Sequence, residues 1–295
     1  MTALHLAMLF GLAAMASTKV IIQGSFGRKL LRSSSDAIFY NGMLFGIAAA
    51  FTALPLPWGG LSLSGVTAIY GLFFGLCSIL FQFSYAGAFK YGSVALTVLI
   101  SNCSSVIPIM VGVVFLNESL SASRAVGIIF FFLSFALSVK FGSRPEAKVN
   151  VKWSLLTLVC FCANGALAVA QKLHQQTEFK AERAGFVFVA YALAAVVSFS
   201  IYFILKRKAA QGKTFTVSAG TLISLLAAGA VLGYFQKTLL FLASVMNAAV
   251  LFPTVNSLIM VITTFCGIFL FKDRLSKRQM LGIVMGIVGI AFISL

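Results

Sequence analysis

The stretch "FQKTLLFLASVMNAAV", Phe235 to Val250, lies over "FQFSYAGAFKYGSVAL", Phe81 to Leu96, at an offset of 154 residues. Phe81 meets Phe235, Gln82 meets Gln236 and Ala95 meets Ala249, and the same offset carries Asn102 onto Asn256. Two further blocks follow in the same order. "NESLSASRAVGI" at 117–128 lies over "KDRLSKRQMLGI" at 272–283, pairing Leu120 with Leu275, Ser121 with Ser276 and Gly127 with Gly282. "STKVIIQ" at 17–23 lies over "AQKLHQQ" at 170–176, pairing Lys19 with Lys172 and Gln23 with Gln176. Three blocks in one order at nearly one offset make the chain an internal repeat.

The medium of the repeat follows from composition. Of 295 residues, 60% are hydrophobic and 9% charged, with a mean hydropathy of +1.04. A soluble domain carries roughly 25% charged residues, so lipid has to solvate most of this surface. The 25 glycines suit that medium, because glycine lets membrane helices approach closely.

A helix that crosses a bilayer needs roughly 20 apolar residues. Ten runs qualify: 3–22, 37–55, 66–88, 93–116, 122–140, 153–172, 184–205, 217–242, 247–271 and 277–295. The expected fold is therefore an all-α integral membrane protein of ten transmembrane helices, with five in residues 1–142 and five in 151–295. The polar break "FGSRPEAKVNVK" at 141–152 separates them. Five is odd, so tandem copies face opposite ways, which is the inverted-repeat architecture of secondary transporters.

The net charge of +16 is explained by topology rather than by nucleic acid, which is not an expected partner. Sixteen lysines and arginines fall in connections 1–2, 3–4, 5–6, 7–8 and 9–10, whereas the opposite connections hold only Arg124, Lys180 and Arg183. The positive-inside rule makes the first side cytoplasmic and puts both termini on the non-cytoplasmic side of a cell (inner) membrane. The first apolar run has no basic segment before it, so no cleavable signal is expected.

Catalysis finds no support. The spans hold no paired carboxylates, no His/Cys metal spacing and no Ser–His–acid set, and no Walker-type loop is present. "CFC" at 160–162 sets two thiols about 200° apart on a helix, which is wrong for a shared metal. No cofactor and no metal are expected.

Polar groups inside spans are candidates for function by default. Asn102 and Asn256 lie near the middle of spans four and nine, and Asn164 near the middle of span six. Gln82 and Gln236 occupy equivalent places in spans three and eight. Helix–helix adhesion is the plainer use of such side chains. Lys237 is the cation set most firmly inside the bilayer; it either snorkels outward or faces a cavity. None of the six carboxylates lies mid-span, so Lys19, Lys172 and Lys237 are expected to lack an internal counter-ion. That favours an anionic or zwitterionic substrate.

The segment 85–137, with its mid-helix Pro108, the acidic residue of "NES" capping a turn and a glycine-bearing last helix, resembles one half of an EamA-type repeat. Residues 244–295 resemble the second copy, with Asp273 where Glu118 stands in the first. These features are similar to those of the drug/metabolite transporter superfamily, over nearly the whole chain. The resemblance implies a non-enzymatic transporter working by alternating access, with spans one, three, four, six, eight and nine around a central cavity. Those spans carry Lys19, Gln82, Asn102, Asn164, Lys172, Gln236, Lys237 and Asn256. The implied partners are a small-molecule substrate and the lipid bilayer, with a homodimer left open. A flippase or exporter of a lipid-linked or drug-like compound on the same fold, or a channel or scaffold, is the alternative.

Overall fold

The computed structural model describes residues 3–30, 34–54, 61–91, 94–138, 151–208, 219–271 and 277–294, without the side chains of 3–4, 19–30, 34–37, 86, 89–90, 94–96, 98–99, 135, 138, 208, 221, 263–271, 279 and 294. The described residues are helical, with no strand among them. The helices are α1 (Ala3–Leu30), α2 (Ser34–Ala53), α3 (Gly65–Tyr91), α4 (Val94–Cys103), α5 (Val106–Phe115), α6 (Ala122–Ser138), α7 (Val151–His174), α8 (Arg183–Lys208), α9 (Ala219–Val245), α10 (Ala248–Phe271) and α11 (Lys277–Ser294).

Four described segments are long and apolar enough to cross a membrane, Gly65–Tyr85, Val151–His174, Arg183–Arg207 and Leu222–Val245. Shorter apolar segments lie in α1, α2, α4–α5, α6, α10 and α11. Large apolar side chains also point outward, among them Phe115 at 74% exposed and Ile69 at 68%. Water would penalise such a surface; lipid solvates it.

The expected fourth span is not one continuous helix. It divides into α4 and α5 at Ser104–Ser105. Pro108 supplies the reason, because it has no N–H to bond the Ser104 carbonyl. The Ile107 N–H takes that carbonyl instead at 3.0 Å, and Ser104 and Ser105 reach back to Ser101 and Asn102 at 3.3 Å. Each of these bonds spans three residues, so the helix tightens locally into a 3₁₀ turn. Pro253 sits inside α10 without breaking it.

The chain packs as two compact units. The first comprises Met1–Ala14, Leu80–Leu173 and Leu242–Leu295, and the second Met15–Ile79 and His174–Phe241. In the first unit α6 lies along α11. Their backbones meet at Gly127 and Gly289: a Cβ on Gly127 would fall 2.8 Å from the Gly289 carbonyl oxygen and 2.6 Å from Ile293 Cγ1. The Phe130 and Phe292 rings stack beside this crossing at 5.7 Å. In the second unit α2 lies along α8. Gly75 gives α3 a close approach to α8, since a Cβ there would fall 2.6 Å from the Ala190 carbonyl oxygen. Dispersion over such short distances is what holds helices together when the surroundings are as apolar as the interface.

Gly127→Val therefore forces α6 and α11 apart. The expected loss is about 1–3 kcal/mol, the usual cost of overpacking, read as a lower melting temperature in detergent. Leu133→Val, on an exposed face of the same helix, is expected to leave that temperature unchanged.

Candidate functional site

In the first unit, Lys172 near the end of α7 and Glu118 in the turn after α5 form an ion pair of 2.6 Å, with side chains 4% and 8% exposed. Lys172 was expected to have no internal counter-ion; Glu118 corrects that reading. The turn delivers the carboxylate. Asn117 adopts a left-handed φ of 51°, one of the few residue types that tolerate it. The reversal returns the Glu118 N–H to the Gly112 carbonyl at 2.9 Å. Glycine is required at 112, because a Cβ there would fall 2.5 Å from Glu118 Oε2.

Each ion also completes a helix end. Lys172 Nζ donates to the carbonyls of Ala243 and Met246, at 3.2 and 2.5 Å, where α9 stops. Glu118 Oε2 accepts the Ala248 N–H at 2.7 Å, where α10 starts. A cation at a helix C-terminus and an anion at an N-terminus both match the peptide dipoles. An ammonium has three donors, and Glu118, Ala243 and Met246 take all three.

Deeper in the same unit, the α4–α5 break gathers the expected asparagines. Asn164 Nδ2 donates to the Ser101 carbonyl at 3.0 Å and to Ser104 Oγ at 2.7 Å. Asn256 Nδ2 donates to Ser105 Oγ at 2.9 Å. Ser105 Oγ in turn donates to the Asn102 carbonyl at 3.0 Å, and Cys160 Sγ to Ser101 Oγ at 3.5 Å. Asn102 and Gln82 are half-buried. Gly165 leaves room beside Asn164 for Ile107, which a Cβ would strike. Thr254 Oγ1 and Ser257 Oγ are buried on α10 with no hydrogen-bond partner among the described residues.

In the second unit, Gln236 accepts a long hydrogen bond of 3.4 Å from the Tyr191 hydroxyl, and Tyr191 stacks on Phe45 at 5.5 Å. Gln236 Nε2 and Lys237 Nζ are buried without a partner among the described residues, and Lys237 is 2% exposed. So Lys237 does not reach the surface. The Lys19 side chain lies outside the described residues.

His174 belongs to a separate polar chain in this second unit. Arg183 Nε donates to Gln175 Oε1 at 3.1 Å, which turns the Gln175 amide nitrogen toward His174 Nδ1 at 2.9 Å. Nδ1 then accepts, and Nε2 carries the proton it gives to Thr67 Oγ1 at 3.0 Å. Glu182 Oε2 accepts the Ser64 N–H at 2.8 Å. Thr67 and Glu182 were not singled out in the sequence, because neither lies in a polar motif within a span. Among the described residues no cluster of His, Cys, Asp or Glu could hold a metal.

Removing one ion of the Lys172–Glu118 pair leaves the other buried and unpaired. Lys172→Ala or Glu118→Ala should cost about 3–5 kcal/mol, whereas Lys172→Met/Glu118→Leu should recover most of that loss. Thermal unfolding of the three variants in detergent measures both.

The comparisons with known proteins agree with this architecture. The model of the EamA-like transporter family matches residues 5–140 and again 151–295. A solved crystal structure, described only as that of a protein, is similar over 99% of this chain and 96% of its own, with a TM-score of 0.76 at 15% identity. An uncharacterised protein of Haemophilus influenzae (strain ATCC 51907 / DSM 11121 / KW20 / Rd) is 26% identical over 178 residues, 60% of this chain. The match spans 58% of that relative's length. With both halves matched, the chain belongs to the EamA-like transporter family of the drug/metabolite transporter superfamily, and it is a multi-pass membrane protein.

Proposed function

We propose that the chain is a secondary transporter that moves a small polar metabolite carrying an anionic group, alone or as a zwitterion, by alternating access. In this reading ten spans form two inverted repeats, residues 1–142 and 151–295, in the inner membrane, with both termini on the non-cytoplasmic side. The uneven distribution of lysine and arginine among the connections supports that orientation. Gln82, Asn102, Asn164, Gln236, Lys237 and Asn256 are the proposed substrate contacts, with Lys19 toward one mouth; Lys172, whose three donors go to Glu118, Ala243 and Met246, is not among them.

The observation that carries the substrate class is Lys237. A buried ammonium without an acceptor costs several kcal/mol even after relaxation. Its neighbour Gln236 leaves two amide hydrogens unused as well. A carboxylate or phosphate would supply the missing acceptors and the missing charge.

The reading is tested with purified protein in proteoliposomes and four probes chosen by charge: glutamate, serine, glycerol phosphate and putrescine. Saturable uptake and counterflow are expected for at least one of the first three and not for putrescine. Uptake of putrescine alone would overturn the anionic assignment, and flux without saturation would favour a channel.

Lys237→Met gives an outcome that a structural lysine would not. Replacing an unpaired buried charge by an apolar side chain of similar length raises the melting temperature. It also lowers uptake about tenfold or more, the loss of one charge-assisted hydrogen bond of about 1.5–3 kcal/mol. A lower melting temperature would assign Lys237 to the fold instead.

A further inference from the structure

We infer that the Lys172–Glu118 ion pair is a latch, which parts and re-forms as the transporter cycles. The inference rests on the alternating-access reading above. Its bonding, its cost and its place in the sequence repeat lead to it.

The pair is saturated. Lys172 spends its three donors on Glu118 and on the Ala243 and Met246 carbonyls, and Glu118 divides its two oxygens between Lys172 and the Ala248 N–H. No ammonium donor is left over for a ligand while the pair is closed. It also joins three separate stretches of chain: the end of α7, the turn after α5 and the α9–α10 turn. These bonds tie the three stretches at one point.

The pair is an uneconomical way to hold a static contact. A buried ion pair is often no more stabilising than apolar side chains of the same volume. It differs from them in being able to open into water, where both ions are well solvated. Hydrated, each ion regains what burial took from it, so the closed and open forms lie closer in free energy than an apolar seal would allow.

The pair crosses the sequence repeat. Glu118 comes from the first half and Lys172 from the second, so motion of one half against the other passes through this contact. The repeat also keeps both members: Lys19 stands where Lys172 stands, and Asp273 where Glu118 stands. Those two side chains lie outside the described residues, and their correspondence is a fact of sequence alone. A device needed once would have no reason to appear in both halves in crossed order.

The experiment replaces the pair by a tie that can be opened at will. Lys172→Cys/Glu118→Cys is made in a chain whose native cysteines are alanine, and it is bridged with a reducible bis-methanethiosulfonate. Removing both charges together leaves no uncompensated ion, so the double variant folds.

Two readouts are taken before bridging, after bridging and after dithiothreitol. One is hydrogen–deuterium exchange of peptides spanning residues 246–252, which requires no substrate. The other is uptake of whichever of the four probes the cysteine-free parent transports. Bridging is expected to slow exchange and to cut uptake about tenfold or more, with dithiothreitol restoring both, as expected when opening limits turnover.

A bridged protein that transports at the reduced rate, or exchange unchanged by the bridge, overturns the latch. So does a folded, reduced variant with no uptake at all, which would place the pair in the binding machinery. If the parent takes up none of the probes, the transport reading fails on its own, and the exchange measurement still decides the latch.

Discussion

A charge buried in apolar surroundings has to be answered by another charge or by the ends of peptide dipoles, and around Lys172 both are used at once. The ammonium closes off α9, the carboxylate opens α10, and each neutralises the other. The arrangement depends on a chain of local requirements. Asn117 must turn left-handed, Gly112 must have no side chain, and Ala248 must offer its N–H as the first turn of α10 begins. Each requirement is short-range, yet together they fix where four helices begin or end.

Away from that pair, the protein solves the problem of lipid in the ordinary way, by bringing backbones close. Gly127 and Gly289 in one unit, and Gly75 beside Ala190 in the other, mark places where any side chain would hold two helices apart. Two sets of the polar groups that remain stand in contrast. Asn164, Asn256 and Ser101 to Ser105 satisfy one another around the proline-induced break. Lys237 Nζ and the Gln236 amide nitrogen find no partner among the described residues, and that unmet hydrogen bonding is what the proposed site offers a substrate.

Much of the fold was legible because lipid simplifies the code. Run length and glycine content carry the information, and a repeat at nearly one offset organises it. That Asn164 and Asn256 would take hydrogen-bond partners on neighbouring helices was also legible, since an amide in the middle of an apolar span has few uses. The α4–α5 break followed from Pro108 in principle. Its position at Ser104–Ser105 did not, because it depends on which neighbouring N–H takes over the orphaned carbonyl. Glu118 illustrates the limit of sequence reading. It stood in a turn, where a carboxylate has an obvious local use, and its partner lay 54 residues away on another helix. Nothing in either local pattern points to the other. The Arg183–Gln175–His174–Thr67 chain was hidden for the same reason, because hydrogen bonding fixes it between residues that meet only in the fold.

Gly112 bears on how such a protein can change over generations. A methyl group at that position would collide with the carboxylate above it, and a carboxylate displaced from there would abandon both the ammonium and the start of α10. Positions 112, 118 and 172 are consequently not free to drift one at a time. The passable route runs through the simultaneous, or nearly simultaneous, loss of both charges, after which the glycine is released from its constraint. Related chains should then fall into two groups, those that keep both charges together with the glycine and those that keep neither charge and vary at position 112.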